Sequence, residues 1–192
     1  MVFSRIIQGS VAGPTLWTKD ISGGEARPLI GSANRSGPEF NPSVSPDGRW
    51  LAFDDGFKIF LVQLADGLTV DLSPFIGSGL SEPDWAPDSH SIVGNGRNTL
   101  RVFSTDAGMA IEQTMIPGGF SNPSWSFPHP VFGSSIAATG YGGIFVMAED
   151  GSDQELVISG GKDPSWSPDG TMLAFVKKNQ LFILPVFSVL KN

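Results

Sequence analysis

The chain has 192 residues, 16% of them charged, and its 19 acidic side chains against 12 basic ones leave a net charge of −7. That balance repels phosphate backbones and argues against nucleic-acid binding, and the absence of cysteine excludes disulfides and thiolate metal sites. No apolar run reaches the roughly 18 to 20 residues a membrane-spanning helix needs, and the first residues lack the charged start and apolar stretch of a signal peptide.

Three short runs open the chain, Met1–Arg5, Leu16–Asp20 and Ala26–Ile30, and each reads as a strand. A motif then recurs four times: Pro42-Ser-Val-Ser-Pro-Asp-Gly48, Pro83-Asp-Trp-Ala-Pro-Asp-Ser89, Pro123-Ser-Trp-Ser-Phe-Pro128 and Pro164-Ser-Trp-Ser-Pro-Asp-Gly170. Its first prolines lie 41, 40 and 41 residues apart, a period that signals stacked repeats.

Each copy leads into an apolar pair or triplet, Leu51–Phe53, Ile92–Val93, Ile136–Ala138 and Leu173–Phe175. A second apolar run follows, at Ile59–Val62, Leu100–Phe103, Ile144–Met147 and Leu181–Leu184. In the first three copies a turn comes next, Ala65-Asp-Gly67, Asp106-Ala-Gly108 and Glu149-Asp-Gly151, and then a short last stretch such as Leu68–Leu72 or Glu155–Ile158. The runs are short, rich in Val, Ile and Phe, and closed by Gly, Asp and Pro, so they predict four strands per period rather than helices. The first group lacks an innermost strand, and the last supplies three, with Val186–Leu190 as the candidate fourth.

Residue roles follow from position. Pro46 and Pro168 preset φ in the turn, Gly48 and Gly170 accept the left-handed conformation, and Asp47, Asp88 and Asp169 suit hydrogen bonding to their own turn backbone. Trp85, Trp125 and Trp166 match one another and are assigned to packing between sheets rather than to a stacking platform. Trp17 and Trp50 fall outside that position.

These residues resemble the Pro-Asp repeat, related to WD-type repeats, of TolB-like β-propellers, whose blades carry Pro-x-Trp-Ser-Pro-Asp-Gly followed by an apolar strand. Pro164–Phe175 matches nearly residue for residue, while Val44 replaces the Trp, Ser89 replaces the turn Gly, and Ser126–Ser135 carries an insertion. The resemblance implies an all-β propeller of about five four-stranded blades, the first and last incomplete. The expected blade segments are 1–31, 41–78, 82–117, 122–160 and 163–192, within one domain spanning 1–192. It further implies a non-enzymatic protein–protein interaction module or accessory subunit, in the periplasm or cell envelope, with no cofactor.

Catalytic constellations are sparse. A Ser–His–carboxylate triad would have to use His90 or His129, and neither sits in a supporting motif. The competing expectation is a carbohydrate-active or sugar-binding five-bladed propeller, which needs two convergent carboxylates drawn from Asp54, Asp55, Glu82 and Asp163. No catalytic residue and no metal ligand set is assigned.

The position before each repeat proline holds Asn41, Glu82, Asn122 and Asp163. If the innermost strands begin there, these four ring one mouth of a central channel, with the small Ser43, Ser124 and Ser165 facing the crowded axis. Such a ring suits water, a hydrated cation or the basic group of an inserted peptide, and it is the candidate partner-binding site. Asn and Asp also simply suit the turn into an X-Pro strand. Two incomplete end blades allow a five-bladed ring in which the ends lie side by side, or closure by the remainder of a longer chain, a second copy or another subunit of an assembly, at a membrane in one version. The apolar tail Leu181–Leu190 favours a covering partner.

Overall fold

The computed structural model describes residues 1–5, 14–29, 37–106, 109–128 and 133–185, and the expectations for His129 and for a strand at 186–190 fall outside the described residues. Among the described residues, eighteen strands form five antiparallel meanders, each with its strands in chain order. Blade 1 has β1 (Val2–Arg5), β2 (Thr15–Thr18) and β3 (Arg27–Pro28). Blade 2 has β4 (Phe40–Val44), β5 (Trp50–Asp54), β6 (Ile59–Gln63) and β7 (Thr69–Asp71). Blade 3 comprises β8 (Ser81–Trp85), β9 (Ser91–Gly96), β10 (Thr99–Asp106) and β11 (Met109–Pro117). Blade 4 comprises β12 (Ser121–Trp125), β13 (Ser135–Gly140), β14 (Gly143–Ala148) and β15 (Glu155–Ser159). Blade 5 is β16 (Gly161–Trp166), β17 (Met172–Lys177) and β18 (Gln180–Pro185). A single helical turn, α1 (Ser73–Ile76), joins blades 2 and 3; Pro74 starts it and Gly77, at φ +79°, ends it.

The sheets stack because their central strands are apolar on both faces. In β5 and β6, Leu51, Phe53, Phe60 and Val62 pack with Leu16 and Leu29 of blade 1, while the alternating Ala52, Ile59 and Leu61 pack with Trp85, Ile92 and Phe103 of blade 3. Side chains alternate across a strand, so a run buried on both faces reads as continuous hydrophobicity rather than as alternation. Two further clusters repeat the arrangement: Trp125 lies between blades 3 and 4, and Trp166 between blades 4 and 5. Trp85 and Trp125 are buried at 4% and 6% exposure, whereas Trp166 is only half-buried. Trp50 also packs into the core, and Trp17 turns its Nε1 onto Thr15 Oγ1 at 3.0 Å.

Each Pro-Asp-Gly turn closes as its residue types dictate. Gly48 N donates to Ser45 O at 2.8 Å, Asp47 Oδ1 accepts from Ser45 Oγ and Arg49 N, and Gly48 sits at φ +70°. Ser89, in place of that Gly, also adopts a left-handed φ of +61°, and its Oγ accepts a bond from Asp47 N of the neighbouring blade. Blade 1 is tied to the lead-in of blade 2 by the buried Glu39, whose Oε2 accepts from Leu16 N at 2.8 Å.

Blade 5 ends differently. β18 pairs with β17 along one edge, and among the described residues no strand pairs with the other. Leu181, Phe182, Ile183 and Leu184 are all exposed, at 70%, 38%, 57% and 36%. No helix among the described residues is long and apolar enough to cross a membrane.

Two sets of substitutions probe this packing. Gly48→Ala meets open space, so its cost is the left-handed backbone alone, about 1 kcal/mol; Gly170→Ala should cost more, because its Cβ would lie 2.9 Å from the Phe127 carbonyl oxygen. Trp125→Ala should cost about 3–5 kcal/mol and the half-buried Trp166→Ala less. Urea unfolding of the four variants checks both orders.

Candidate functional site

The innermost strand of blades 2 to 5 carries the same irregularity. Register runs Phe40↔Asp54 then Ser43↔Ala52, Ser81↔Asn95 then Asp84↔Val93, Ser121↔Thr139 then Ser124↔Ala137, and Lys162↔Val176 then Ser165↔Ala174. In each case the X-Pro pair stands opposite one residue, which is a β-bulge, one of the few places a sheet tolerates a proline without an N–H. The residue before each proline is left-handed: Asn41, Glu82, Asn122 and Asp163 have φ of +47°, +53°, +48° and +53°. Asn and Asp take that conformation at little cost, whereas Glu gains nothing local from it.

The bulges bring the four together. Asn41, Glu82, Asn122 and Asp163, their prolines, and the next residues Ser43, Asp84, Ser124 and Ser165 line one cavity of about 350 Å³ at the hub, and no basic side chain is among its described lining residues. Glu82 and Asn122 are half-buried there, and Asn41 and Asp163 are exposed at the rim. Asp163 Oδ2 faces Lys162 Nζ at 3.6 Å.

Two ladders of hydrogen bonds run around this hub from blade to blade. In the first, a side chain of one blade caps the N–H of the next blade's bulge: Asp54 Oδ2 accepts from Glu82 N (2.8 Å), Glu82 Oε2 from Asn122 N (2.6 Å), and Thr139 Oγ1 from Asp163 N (2.9 Å). Asp54 Oδ2 also accepts from Asn41 Nδ2, and Glu82 Oε2 from Asn95 Nδ2. In the second, the residue after the proline caps the next Trp N–H: Ser43 Oγ accepts from Trp85 N (3.4 Å), Asp84 Oδ2 from Trp125 N (2.7 Å), and Ser124 Oγ from Trp166 N (3.1 Å).

Asp84 therefore joins three blades, since its Oδ1 also accepts from Ser43 Oγ at 2.8 Å. Burial pushes its carboxyl up to about 6, although the bonds from Trp125 N, Ser43 and Ser124 pull the other way. The sequence reading passes over this residue; the available signal is that Asp84 breaks the series Ser43, Ser124, Ser165 at one motif position.

The remaining candidates lie apart or are already engaged. Asp54 is 1% exposed, with Oδ1 bonded to Gly56 N and Oδ2 to the ladder. Asp55 Oδ1 accepts from Phe57 N and Lys58 N within its own turn. Asp47, Asp88 and Asp169 sit in the turns at the other end of the innermost strands, where His90 N is bonded to Asp88 Oδ1 and His90 itself is exposed. The Asp169 carboxyl is lowered to about 2 by bonds from Ser167 and Thr171.

With this geometry, the chain is similar to a structure assigned to TolB of Agrobacterium tumefaciens, at 18% identity and a TM-score of 0.62, over 85% of this chain and 63% of that one. It is also similar to the Cps50 (Swd1) β-propeller domain of Myceliophteria thermophila, at 17% identity and a TM-score of 0.64, over 99% of this chain and 67% of that one. The fold is a β-propeller. At these identities the likeness concerns the fold alone, and the chain spans less than two thirds of the length of the TolB structure. No protein-family model matches the chain, and no curated protein does.

Asp84 makes stability depend on pH in a definite direction. Its folded-state value of about 6 exceeds the ordinary 3.8, so its contribution is full below about pH 4 and is lost as pH rises to about 6. The loss is on the order of 3 kcal/mol. Asp84→Asn should remove it, so the difference in unfolding free energy between variant and parent should grow in the variant's favour between pH 4 and 6. A difference independent of pH would contradict the assignment.

Proposed function

We propose that the protein is a non-enzymatic interaction module that docks a protein partner at the channel mouth formed by Asn41, Glu82, Asn122 and Asp163. The supporting observation is the convergence of four bulges on one acidic hub cavity with no basic residue among its described lining residues. Negative potential is focused in such a mouth and favours a basic group on the partner. The hub carboxylates of Asp54, Glu82 and Asp84 are engaged as caps for backbone N–H groups, a role that holds blades together. The TolB-like fold agrees with a docking role in the periplasm or cell envelope, and this setting is part of the proposal.

A second observation favours membership in a larger assembly: the exposed apolar edge of β18 offers a surface for an accessory subunit to pack through. In that version, light scattering finds the isolated chain associating, and Leu181→Lys with Ile183→Lys shifts it toward monomer. A chain that stays monomeric as its concentration rises removes this version and leaves the mouth.

Affinity capture with the parent and with Asp163→Asn, which removes the charge and keeps the left-handed backbone, tests the docking reading, because the Asp163 side chain is exposed and, among the described residues, caps no backbone N–H. A partner retained by the parent should fall by about tenfold with the variant at an unchanged melting temperature. Hydrolysis of a glycoside that is abolished by Glu82→Gln would overturn the reading in favour of a carbohydrate-active propeller.

A further inference from the structure

At the end of the strands away from the channel mouth, a cavity of about 790 Å³ opens between blades 3 and 4. It is larger than the hub cavity and falls in the range of small-molecule sites. Trp125, Phe127, Pro87 and Val102 give it an apolar wall.

Two features separate it from an ordinary crevice between sheets. The first is a bulge in β11: Val102 pairs with Thr114 and Phe103 with Glu112, which leaves Gln113 as the extra residue. Neighbours in a regular strand point to opposite faces, yet Gln113 and Thr114 both line the cavity. Bulges re-aim side chains in this way beside binding sites.

The second is charge. Asp88, Glu149 and Asp150 line the cavity, and no Lys, Arg or His is among its described lining residues. Asp88 is consumed by His90 N, Ser91 N and Ser91 Oγ, and the Asp150 carboxyl, bonded to Ser152, is held below the usual range and stays ionised. Glu149 keeps capacity: Oε1 accepts one long bond, 3.4 Å, from Trp125 Nε1, whose shorter bond of 2.9 Å goes to Ser134 Oγ.

We propose that this cavity binds a small organic cation, an amidinium, guanidinium or ammonium group carried on an aromatic or apolar body. The body lies against Trp125, Phe127 and Pro87, the cation meets Glu149, and the Gln113 amide closes the rim. An anion would face three carboxylates, and a neutral ligand would forgo the charge-assisted bond that distinguishes the site. The site is separate from the channel mouth, and it stands whether or not a protein docks there.

Benzamidine, its neutral isostere benzamide, and benzoate test the chemistry by titration calorimetry, with tryptophan fluorescence as a second readout. Benzamidine should bind with a dissociation constant of about 1 mM or tighter, benzamide at least about tenfold more weakly, and benzoate not at all. Glu149→Gln retains an acceptor for Trp125 Nε1, so the fold is kept; it should weaken benzamidine about tenfold and leave benzamide unchanged. Asp163→Asn at the channel mouth should leave benzamidine binding unaltered. Absence of benzamidine binding, equal binding of benzamide, insensitivity to Glu149→Gln, or loss of binding in Asp163→Asn each overturns the proposal.

Discussion

The structure depends on sheets that cannot bury their own apolar faces. Leu51, Phe53, Phe60 and Val62 need blade 1, while Ala52, Ile59 and Leu61 on the same two strands need blade 3. Each fully buried side chain of this size is stabilised by roughly 1.5–3 kcal/mol only while both neighbours are in place. Stability is therefore held in contacts between repeats, and a blade taken alone has no reason to fold. The same logic makes β18 conspicuous, since Leu181, Phe182, Ile183 and Leu184 are apolar in the manner of an inner strand and yet lie exposed.

Apolar packing is non-directional and would let the sheets slide, so register between blades requires something directional. The two hydrogen-bond ladders at the hub supply it, because the bulge N–H groups of Glu82, Asn122 and Asp163 and the N–H groups of Trp85, Trp125 and Trp166 each find an acceptor on the preceding blade. A bulge frees an N–H from its own ladder, and burial near the axis makes that group costly to leave unpaired. The X-Pro irregularity that shapes the mouth is thus also what demands a cap from next door. Three of the four residues that line the hub cavity, Glu82, Asn122 and Asp163, thus also take part in the structural joint.

The architecture was largely legible in the residues, because the repeat period, the Pro-Asp-Gly turns and the doubly apolar runs are local signals. The convergence of the four pre-proline residues was legible too, since equivalent positions of a radial repeat share one distance from the axis. Their left-handed backbone was legible only in part: Asn41, Asn122 and Asp163 suit it, but Glu82 does not. The interblade bond of Asp84 to Trp125 N spans 41 residues and leaves no local trace. The cavity between blades 3 and 4 was hidden for the same reason, being assembled from a turn, an edge strand and a loop far apart in the chain. The nine-residue length of β11 and its bulge at Gln113 likewise follow from pairing with β10 rather than from any motif.

A repeat protein carries its own internal reference, and at the hub positions blade 3 departs from it most. Blade 3 has Glu82 where two blades have Asn and one has Asp, Asp84 where the others have Ser, Ser89 where two have Gly, and the longest outer strand. Two of these departures are costly: Glu82 is held left-handed, and Asp84 keeps a carboxyl whose ionisation the site resists. A serine at 84 would cap Trp125 N as Ser124 caps Trp166 N, without the burial of a charge. Substitutions that weaken a joint the other blades make more cheaply are not explained by the joint. They place an excess of negative charge at the hub on blade 3, the blade whose other end lines the larger cavity.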